Sequence, residues 1–306
     1  MIAFFAKIFG FILNFIYEIV NNYGLAIIIF SILVKVLMLP ISIKQQKTMK
    51  KSVKLQAKMK EIQFKYKNNP EKLNQETMEL YKTENMSPFS GCLSAIAQII
   101  LLFAVFYLVR SPLTYMKKVD TGVINKYTKI IHEYKLSENS AYPEIDVIRE
   151  VENIRNLKNQ NIEQTEEERT DSAEIKDEEL EQLNINMEFF GFNLAQVPSQ
   201  SNDWKAYIIP VLYVLVSVLS MKITNPTAPK PEPVENKDEK SLTKPEEDFN
   251  PMDQMNKNMN MMFPVMYLAV ALIAPLGLAL YWLMNSLLMI IEKLALNKLL
   301  KDEEEK

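Results

Sequence analysis

Apolar residues along the 306-residue chain collect in a few long runs, and Lys and Glu fill the segments between them. Each run has about 20 residues, the length that an α-helix needs to cross a hydrocarbon core about 30 Å thick. The pattern therefore predicts an all-α integral membrane protein with five membrane-spanning helices. These spans lie, in chain order, at residues 21–43, 87–112, 204–222, 258–275 and 276–296.

Residues 1–20 are also mostly apolar, but Lys7, Asn14 and Glu18 recur at spacings that place them on one helical face. A one-sided polar stripe is typical of a helix that lies in the membrane interface, and we predict that placement. A cleaved signal peptide is disfavoured because a cationic start and a small-x-small cleavage site are missing. A spanning helix or signal anchor is the remaining alternative.

The polar segments between the spans differ in character. Residues 44–86 show helical apolar spacing that breaks at Asn68-Asn69-Pro70, which predicts an amphipathic helical hairpin. Residues 113–203 form an acidic loop, and its centre at 166–183 is typical of a solvated helix or a partly disordered segment. Residues 223–257 are rich in Pro, Lys and Glu and predict a flexible loop, and residues 297–306 form a short tail.

Orientation follows from the distribution of lysine, because loops with an excess of Lys and Arg stay in the cytoplasm. Residues 42–85 contain eleven Lys against five Glu, whereas residues 116–203 contain ten Lys or Arg against nineteen Asp or Glu. The first segment is predicted inside and the second outside. Five spans then place the N-terminus outside and the C-terminus in the cytoplasm, and the mildly acidic loop 223–257 also falls inside.

Composition excludes several other function classes. The formal charge of −3 argues against a general nucleic-acid binder, which needs a basic face. Cys92 is the only cysteine and His132 the only histidine, so neither a disulfide framework nor a Cys/His metal site is predicted. A phosphate-binding Gly-rich loop, a Gly-x-Ser-x-Gly elbow and a His-Glu-x-x-His motif are all missing, so we expect neither an enzyme nor a cofactor.

Lys35 lies within the first span, where an ionisable side chain is costly unless it faces a partner, a water-filled cavity or the interface. It is therefore a candidate functional residue. The alternative is that its stem snorkels toward the headgroups near Pro40 and Lys44.

Three spans each have a pair of residues at i, i+4, which places both members on one helical face. If these faces converge, they line a hydrophilic recess that is open to the cytoplasm. Hydrogen bonding between helices is an alternative role for Gln98 and for Asn285. The pairs are Ser31 with Lys35, Ser94 with Gln98, and Tyr281 with Asn285.

About half of the chain resembles the YidC/Oxa/Alb family of membrane protein insertases, in the short bacterial form without the large periplasmic domain. The order of the matching segments is specific, with a basic hairpin between the first two spans and Pro-Leu-Gly-Leu-Ala-Leu-Tyr-Trp in the last. The matching segments are residues 21–47, 73–82, 87–113 and 259–292.

The resemblance implies five helices around a groove that is open to the cytoplasm and to lipid, with a positive charge in the first span. Lys35 occupies the position where the family usually has arginine, so it keeps the charge but loses the planar guanidinium fork. Gln98 matches the family's groove-lining glutamine, and Trp282 matches the aromatic residue of the last span. The loop 113–203 looks longer than is usual for the short form.

The implied function is that of an insertase in the bacterial cell membrane, which helps nascent membrane proteins enter and fold in the bilayer. Nascent membrane proteins and membrane lipid are the implied partners, the ribosome and the Sec translocon are further candidates, and sequence-specific nucleic-acid binding is not expected. A small secondary transporter and a membrane assembly scaffold are the alternatives. Ribosome or headgroup contact is predicted for Lys47, Lys50, Lys51, Lys54 and Lys58.

Overall fold

The computed structural model describes residues 2–66, 69–84, 90–137, 141–162, 175–224 and 264–304. Most of these residues are helical. The helices are α1 (Ile2–Val20), α2 (Tyr23–Lys65), α3 (Pro70–Thr83), α4 (Ser90–Arg110), α5 (Thr121–Glu133), α6 (Pro143–Ile162), α7 (Asp177–Leu183), α8 (Ile208–Thr224), α9 (Pro264–Ile273) and α10 (Leu276–Glu304). A π-helical turn at Leu113–Lys117 follows α4, and two short strands, β1 (Glu188–Phe189) and β2 (Phe192–Asn193), precede α8.

Four helices within these ranges are long and apolar enough to cross a membrane. Their apolar parts are Ile2–Val20, Tyr23–Lys51, Trp204–Ile223 and Leu276–Leu299. The apolar parts of α4 and α9, at Ile99–Arg110 and Pro264–Ile273, are shorter. The prediction of a mostly helical chain with long apolar helices is thus confirmed, whereas the number of five spans and the interfacial position of residues 1–20 stay predictions.

Helix α2 continues well beyond residue 43, where the sequence places the end of the first span. The side chain of Asn22 caps its first turn by accepting a hydrogen bond from the Leu25 amide at 3.0 Å. Pro40 lies inside the helix without ending it, and α2 runs on for 43 residues in all. The first span and the first arm of the basic hairpin are therefore one continuous helix, because no cluster of helix-breaking residues separates them. The side chain of Asn69 caps the second arm, α3, at the Lys72 amide.

The membrane helices pack in two groups that share α2. Helix α10 packs against α8 and α2, and α1 packs against α4, α2 and the π-helical turn. The approach of α1 requires glycine at position 10, because a Cβ atom there would overlap the carbonyl oxygen of Tyr115.

Residues 118–203 include a packed helical domain, which we call the outer-loop domain after the sequence-based prediction that this loop lies outside. Helix α6 packs against α5 and α7, and the buried side chains at their interfaces recur at helical spacing. The acidic stretch 166–183, predicted to be solvated or partly disordered, contributes to this core over its described part, since Ile175, Leu180 and Leu183 are buried. The most deeply buried residues of the domain include Tyr127, Ile131, Ile145, Ile154 and Leu180.

The outer-loop domain lies at the N-terminal ends of α2 and α10, and we call this end of the helices the domain side. The opposite end, near α3, is the hairpin side. Glu144 joins the domain to the membrane helices, because its carboxylate accepts hydrogen bonds from the Thr114 amide at 3.0 Å and the Thr114 hydroxyl at 2.7 Å. Burial raises the pKa of the Glu144 carboxyl, and these two hydrogen bonds oppose that shift.

Candidate functional site

Lys35 of α2 forms an ion pair with Glu292 of α10. The Lys35 Nζ lies 2.6 Å from Glu292 Oε2, and the two side chains are only 20% and 10% exposed. At 1.5 Å of rise per residue, Lys35 lies about 18 Å and Glu292 about 24 Å along their helices from the domain side. Both distances exceed half of the thickness of a bilayer core, which is about 30 Å.

One oxygen of the Glu292 carboxylate has no hydrogen-bond partner among the described residues. Glu292 Oε1 is buried and accepts no hydrogen bond from the part of the chain that the structure describes. A buried carboxylate oxygen without a donor is costly, since it has lost its hydration without a replacement. Among the described residues, the hydrogen-bonding capacity of the Glu292 carboxylate is therefore only partly satisfied.

A second polar contact joins α2 and α10 nearer the hairpin side, and we call the interface between these two helices the seam. Gln46 is buried, and its oxygen accepts a hydrogen bond from the Lys293 ammonium at 2.6 Å. Its amide nitrogen donates to the Asn297 side chain at 3.0 Å. The two neighbouring charges of α10 thus have different partners on α2, Glu292 with Lys35 and Lys293 with Gln46.

Helix α10 presents two different faces to its neighbours. The spacing of Tyr281, Asn285 and Glu292 places all three on one face, which is the face that meets Lys35. The other face packs on α8. There the Trp282 ring lies 5.7 Å from the Tyr213 ring, and the Ser286 hydroxyl lies 3.3 Å from that of Ser217.

The predicted site residues differ in burial and in their hydrogen bonds. The Ser31 hydroxyl is buried and donates to the Ile27 carbonyl of its own helix at 2.7 Å, which leaves it no proton to donate to a ligand. Tyr281 is buried, and Asn285 is half-buried. Ser94 and Gln98 belong to α4, but their side chains lie outside the part of the chain that the structure describes.

The lysines predicted to contact the ribosome or headgroups lie along the hairpin-side half of α2. Lys47, Lys51 and Lys58 are exposed and Lys50 is half-buried, whereas the Lys54 side chain lies outside the described residues. Lys58 pairs with Glu84 beyond the end of α3 at 2.6 Å and joins the two arms of the hairpin. The hydrogen bond from Lys58 holds the pKa of the Glu84 carboxyl below its usual value.

The segment 186–196 clamps the domain-side ends of α2 and α10. The Tyr23 amide of α2 donates to the Asn186 carbonyl at 3.0 Å, and the Asn22 side chain donates to the Glu188 carbonyl at 2.6 Å. Gly24 makes room for the Phe189 ring, which a Cβ atom at position 24 would overlap.

The same segment also caps α10. The amides of Leu276 and Gly277 donate to the carbonyls of Gln196 and Leu194, each at 2.9 Å. The first N–H groups of a helix have no partner within that helix, so these bonds satisfy groups that would otherwise be unpaired. The two helices that contain Lys35 and Glu292 are consequently held together by one short segment on the domain side.

The sequence reasoning missed Glu292, Gln46, Lys293 and Asn297. A signal for Glu292 was present, because it lies within the predicted fifth span at 276–296 and on the same helical face as Tyr281 and Asn285. The rule that singles out an ionisable residue in a span applies equally to Glu292. Gln46 gave no such signal, since it lies in a polar segment beyond the predicted end of the first span.

Comparison with known proteins gives a consistent result. The sequence profile described as "60Kd inner membrane protein" matches residues 15–304. The chain is also similar to three bacterial proteins, each named membrane protein insertase YidC. It is 48% identical over 102 residues to the protein of Chlorobaculum parvum, 41% over 106 residues to that of Caldanaerobacter subterraneus, and 43% over 102 residues to that of Fusobacterium nucleatum.

These matches cover only part of each protein. They include 33%, 35% and 33% of this chain, and 17%, 52% and 50% of the respective relatives. The chain therefore spans about half of the length of these curated relatives, or less.

Proposed function

The chain belongs to the 60Kd inner membrane protein family, and on that premise we propose that it is a membrane protein insertase. It helps nascent membrane proteins enter the lipid bilayer and fold there. The names of the similar bacterial proteins support this proposal, and the resemblance of the sequence to the YidC/Oxa/Alb insertases agrees with the family.

The observation that supports the function best is the ion pair between Lys35 and Glu292. Both side chains belong to helices long and apolar enough to span a membrane, and the pair is only partly exposed. Ionisable groups in membrane-spanning helices are rare and usually face a water-filled cavity or a binding site. We assign the pair to a hydrophilic groove, lined by Ser31, Lys35, Ser94, Gln98, Tyr281 and Asn285, through which the polar end of a client passes. Trp282 lies on the face of α10 that packs on α8 and is left out of this lining.

The outer-loop domain faces outward and the hairpin faces the cytoplasm in this proposal. The lysine excess of residues 42–85 supports this orientation. Exposed lysines on α2 then lie close to anionic headgroups, where each contributes about 1 kcal/mol, or to a ribosome that delivers the client. The Sec translocon is a second candidate partner.

Insertion proceeds in two steps. The positive charge of Lys35 attracts an acidic residue in the short outer tail of the client into the groove, where that tail loses less hydration than it would in lipid. The apolar helix of the client then moves into the bilayer, which releases about 25 cal/mol per Å² of buried apolar surface. The protein lowers the barrier for the polar tail, and the client helix supplies the driving force.

The test is insertion of a single-span client with an acidic outer tail into liposomes that contain only this protein. Wild type is compared with Lys35→Ala, Lys35→Arg and the matched control Lys44→Ala, which removes an exposed lysine from the same helix. Protease protection of the translocated tail measures insertion, normalised to the amount of folded protein. We expect Lys35→Ala to lower insertion, and Lys35→Arg and Lys44→Ala to keep it.

Two results would contradict the proposal. Equal insertion by wild-type and protein-free liposomes would favour a scaffold or a transporter. Anion uptake that depends on Lys35, without client insertion, would specifically indicate the transporter.

A further inference from the structure

We propose that Glu292 determines which client tails the site accepts, by balancing the charge of Lys35 and by offering its own free oxygen to a donor on the client. This inference rests on the proposed insertase function and deepens it. Glu292 thereby becomes a specificity-determining residue, whereas the sequence alone points only to the positive charge of Lys35.

The charges at the site are nearly balanced. Lys35 Nζ contacts Glu292 Oε2 at 2.6 Å, so the site has one positive and one negative group in direct contact. The adjacent cation, Lys293, donates to Gln46 instead. Within the described residues, no other cation lies in ion-pair contact with Glu292. The local charge of the pair is therefore close to zero when both groups are ionised.

An acidic client tail must compete with Glu292 for the Lys35 ammonium. A client carboxylate gains the full attraction of Lys35 only if it replaces Glu292 Oε2 as the partner of the ammonium. Glu292 is held by its packed helix in direct contact with Lys35. Its effective concentration at the Lys35 ammonium is therefore very high, and it competes strongly with the client carboxylate. Glu292 therefore weakens the preference of the site for acidic tails.

A basic or hydrogen-bonding client tail interacts with the second oxygen of Glu292 instead. Glu292 Oε1 is buried and has no donor among the described residues. An ammonium, hydroxyl or amide group of the client that displaces the side chains covering this oxygen can donate to it without breaking the contact with Lys35. Glu292 thus lets the site attract cationic and neutral hydrogen-bond donors. An isolated lysine would repel the cations and could not accept a bond from the neutral donors.

The experiment measures tail selectivity rather than total activity. Three clients share one apolar helix and differ in a single outer-tail residue, which is Asp, Asn or Lys. Each is inserted into liposomes that contain wild type, Glu292→Gln, the charge swap Lys35→Glu/Glu292→Lys, or the control Glu79→Gln. The control removes an exposed carboxylate from α3. The readout is the ratio of Asp-tail to Lys-tail insertion within each variant.

We expect Glu292→Gln to raise the Asp-to-Lys ratio several-fold, because Lys35 is then unbalanced and the acceptor for a basic tail is weakened. The charge swap should restore a ratio near that of wild type, and Glu79→Gln should leave it unchanged. Because the ratio is internal to each variant, a general loss of folded protein does not move it.

Two other outcomes are distinguishable. Equal changes for all three tails in Glu292→Gln would overturn the inference and reduce Glu292 to a structural partner of Lys35, while the insertase function stands. Wild type that inserts none of the tails better than protein-free liposomes would overturn the proposed function and this inference with it.

Discussion

The backbone amide of Asn186 donates a hydrogen bond to the phenolic oxygen of Tyr17, 2.9 Å away and 169 positions apart in the sequence. The side chain of Asn186 also donates to the Asn21 carbonyl at 2.9 Å, and the backbone carbonyl of Asn186 accepts a hydrogen bond from the Tyr23 amide. One residue of the clamp therefore binds the end of α1, the connecting turn and the start of α2.

Substitution of Tyr17 by Phe tests the contribution of this clamp. The change removes the acceptor for the Asn186 amide in a buried position, and we expect the free energy of unfolding to fall by about 1 kcal/mol. Thermal unfolding in detergent measures the loss. Tyr134→Phe is the matched control, because Tyr134 is an exposed tyrosine at the end of α5. Equal stability of the two variants would show that the bond is replaced by water.

Glycine at position 10 should be essential for the contact between α1 and the π-helical turn. We expect Gly10→Ala to destabilise the fold by about 1–3 kcal/mol, because the added methyl group meets a backbone carbonyl that can move only with its helix. Gly277→Ala provides the comparison, since its nearest neighbour is a Tyr23 ring atom at 3.4 Å, an ordinary contact distance. Thermal unfolding of both variants tests the difference, and a stable Gly10→Ala protein would argue against this close packing.

The sequence predicts the helical membrane fold because long apolar runs have few other stable structures in a bilayer. It predicts the functional importance of Lys35 for the same physical reason, the cost of a charge in that environment. It does not identify Glu292 as the partner, because that requires knowing which face of which helix lies beside α2.

The clamp at 186–196 is less predictable still. Its bonds to Tyr23, Leu276 and Gly277 join backbone groups, which every residue has, so side-chain identity gives no signal for them. The core of the outer-loop domain was accessible in principle, since Tyr127 and Ile131 recur at helical spacing. The high acidic content of residues 116–203 as a whole concealed that apolar pattern.

The contact between Gln46 and Lys293 should stabilise the seam between α2 and α10. We expect Gln46→Leu to lower the free energy of unfolding by about 1.5 kcal/mol, because a half-buried ammonium loses its acceptor. Gln46→Glu should retain more of the stability, since a carboxylate still accepts the bond from Lys293, although it cannot donate to Asn297. Thermal unfolding in lipid nanodiscs compares the two, and a Leu variant as stable as the Glu variant would indicate that Lys293 finds water or headgroups instead.

The stability of the outer-loop domain should depend on pH through Glu179. Burial alone would raise the pKa of this carboxyl, but hydrogen bonds from Lys126 and Tyr127 lower it overall below the ordinary value of 4.5. The folded state therefore binds the proton less tightly than the unfolded state, so this contribution is present above about pH 4.5 and is lost as the pH falls further.

Thermal unfolding at pH 6 and at pH 4, followed by circular dichroism, measures this effect. Wild type should lose more stability than Glu179→Gln over this interval, because only wild type has the carboxylate whose pKa is lowered on folding. The comparison must be a difference between variants, because the raised pKa of Glu144 in the same domain acts in the opposite direction. Identical losses in the two proteins would show that Glu179 contributes nothing to the pH dependence.

The seam between α2 and α10 also sets a condition on the biosynthesis of the protein. Gln46 and Asn297, which meet in that seam, are 251 positions apart. At about 5–20 residues per second, a ribosome needs roughly 13–50 seconds to add the residues between them. During that interval α2 has been made while Glu292 has not, so the newborn helix must keep the Lys35 ammonium hydrated or at the headgroups until its counterion emerges.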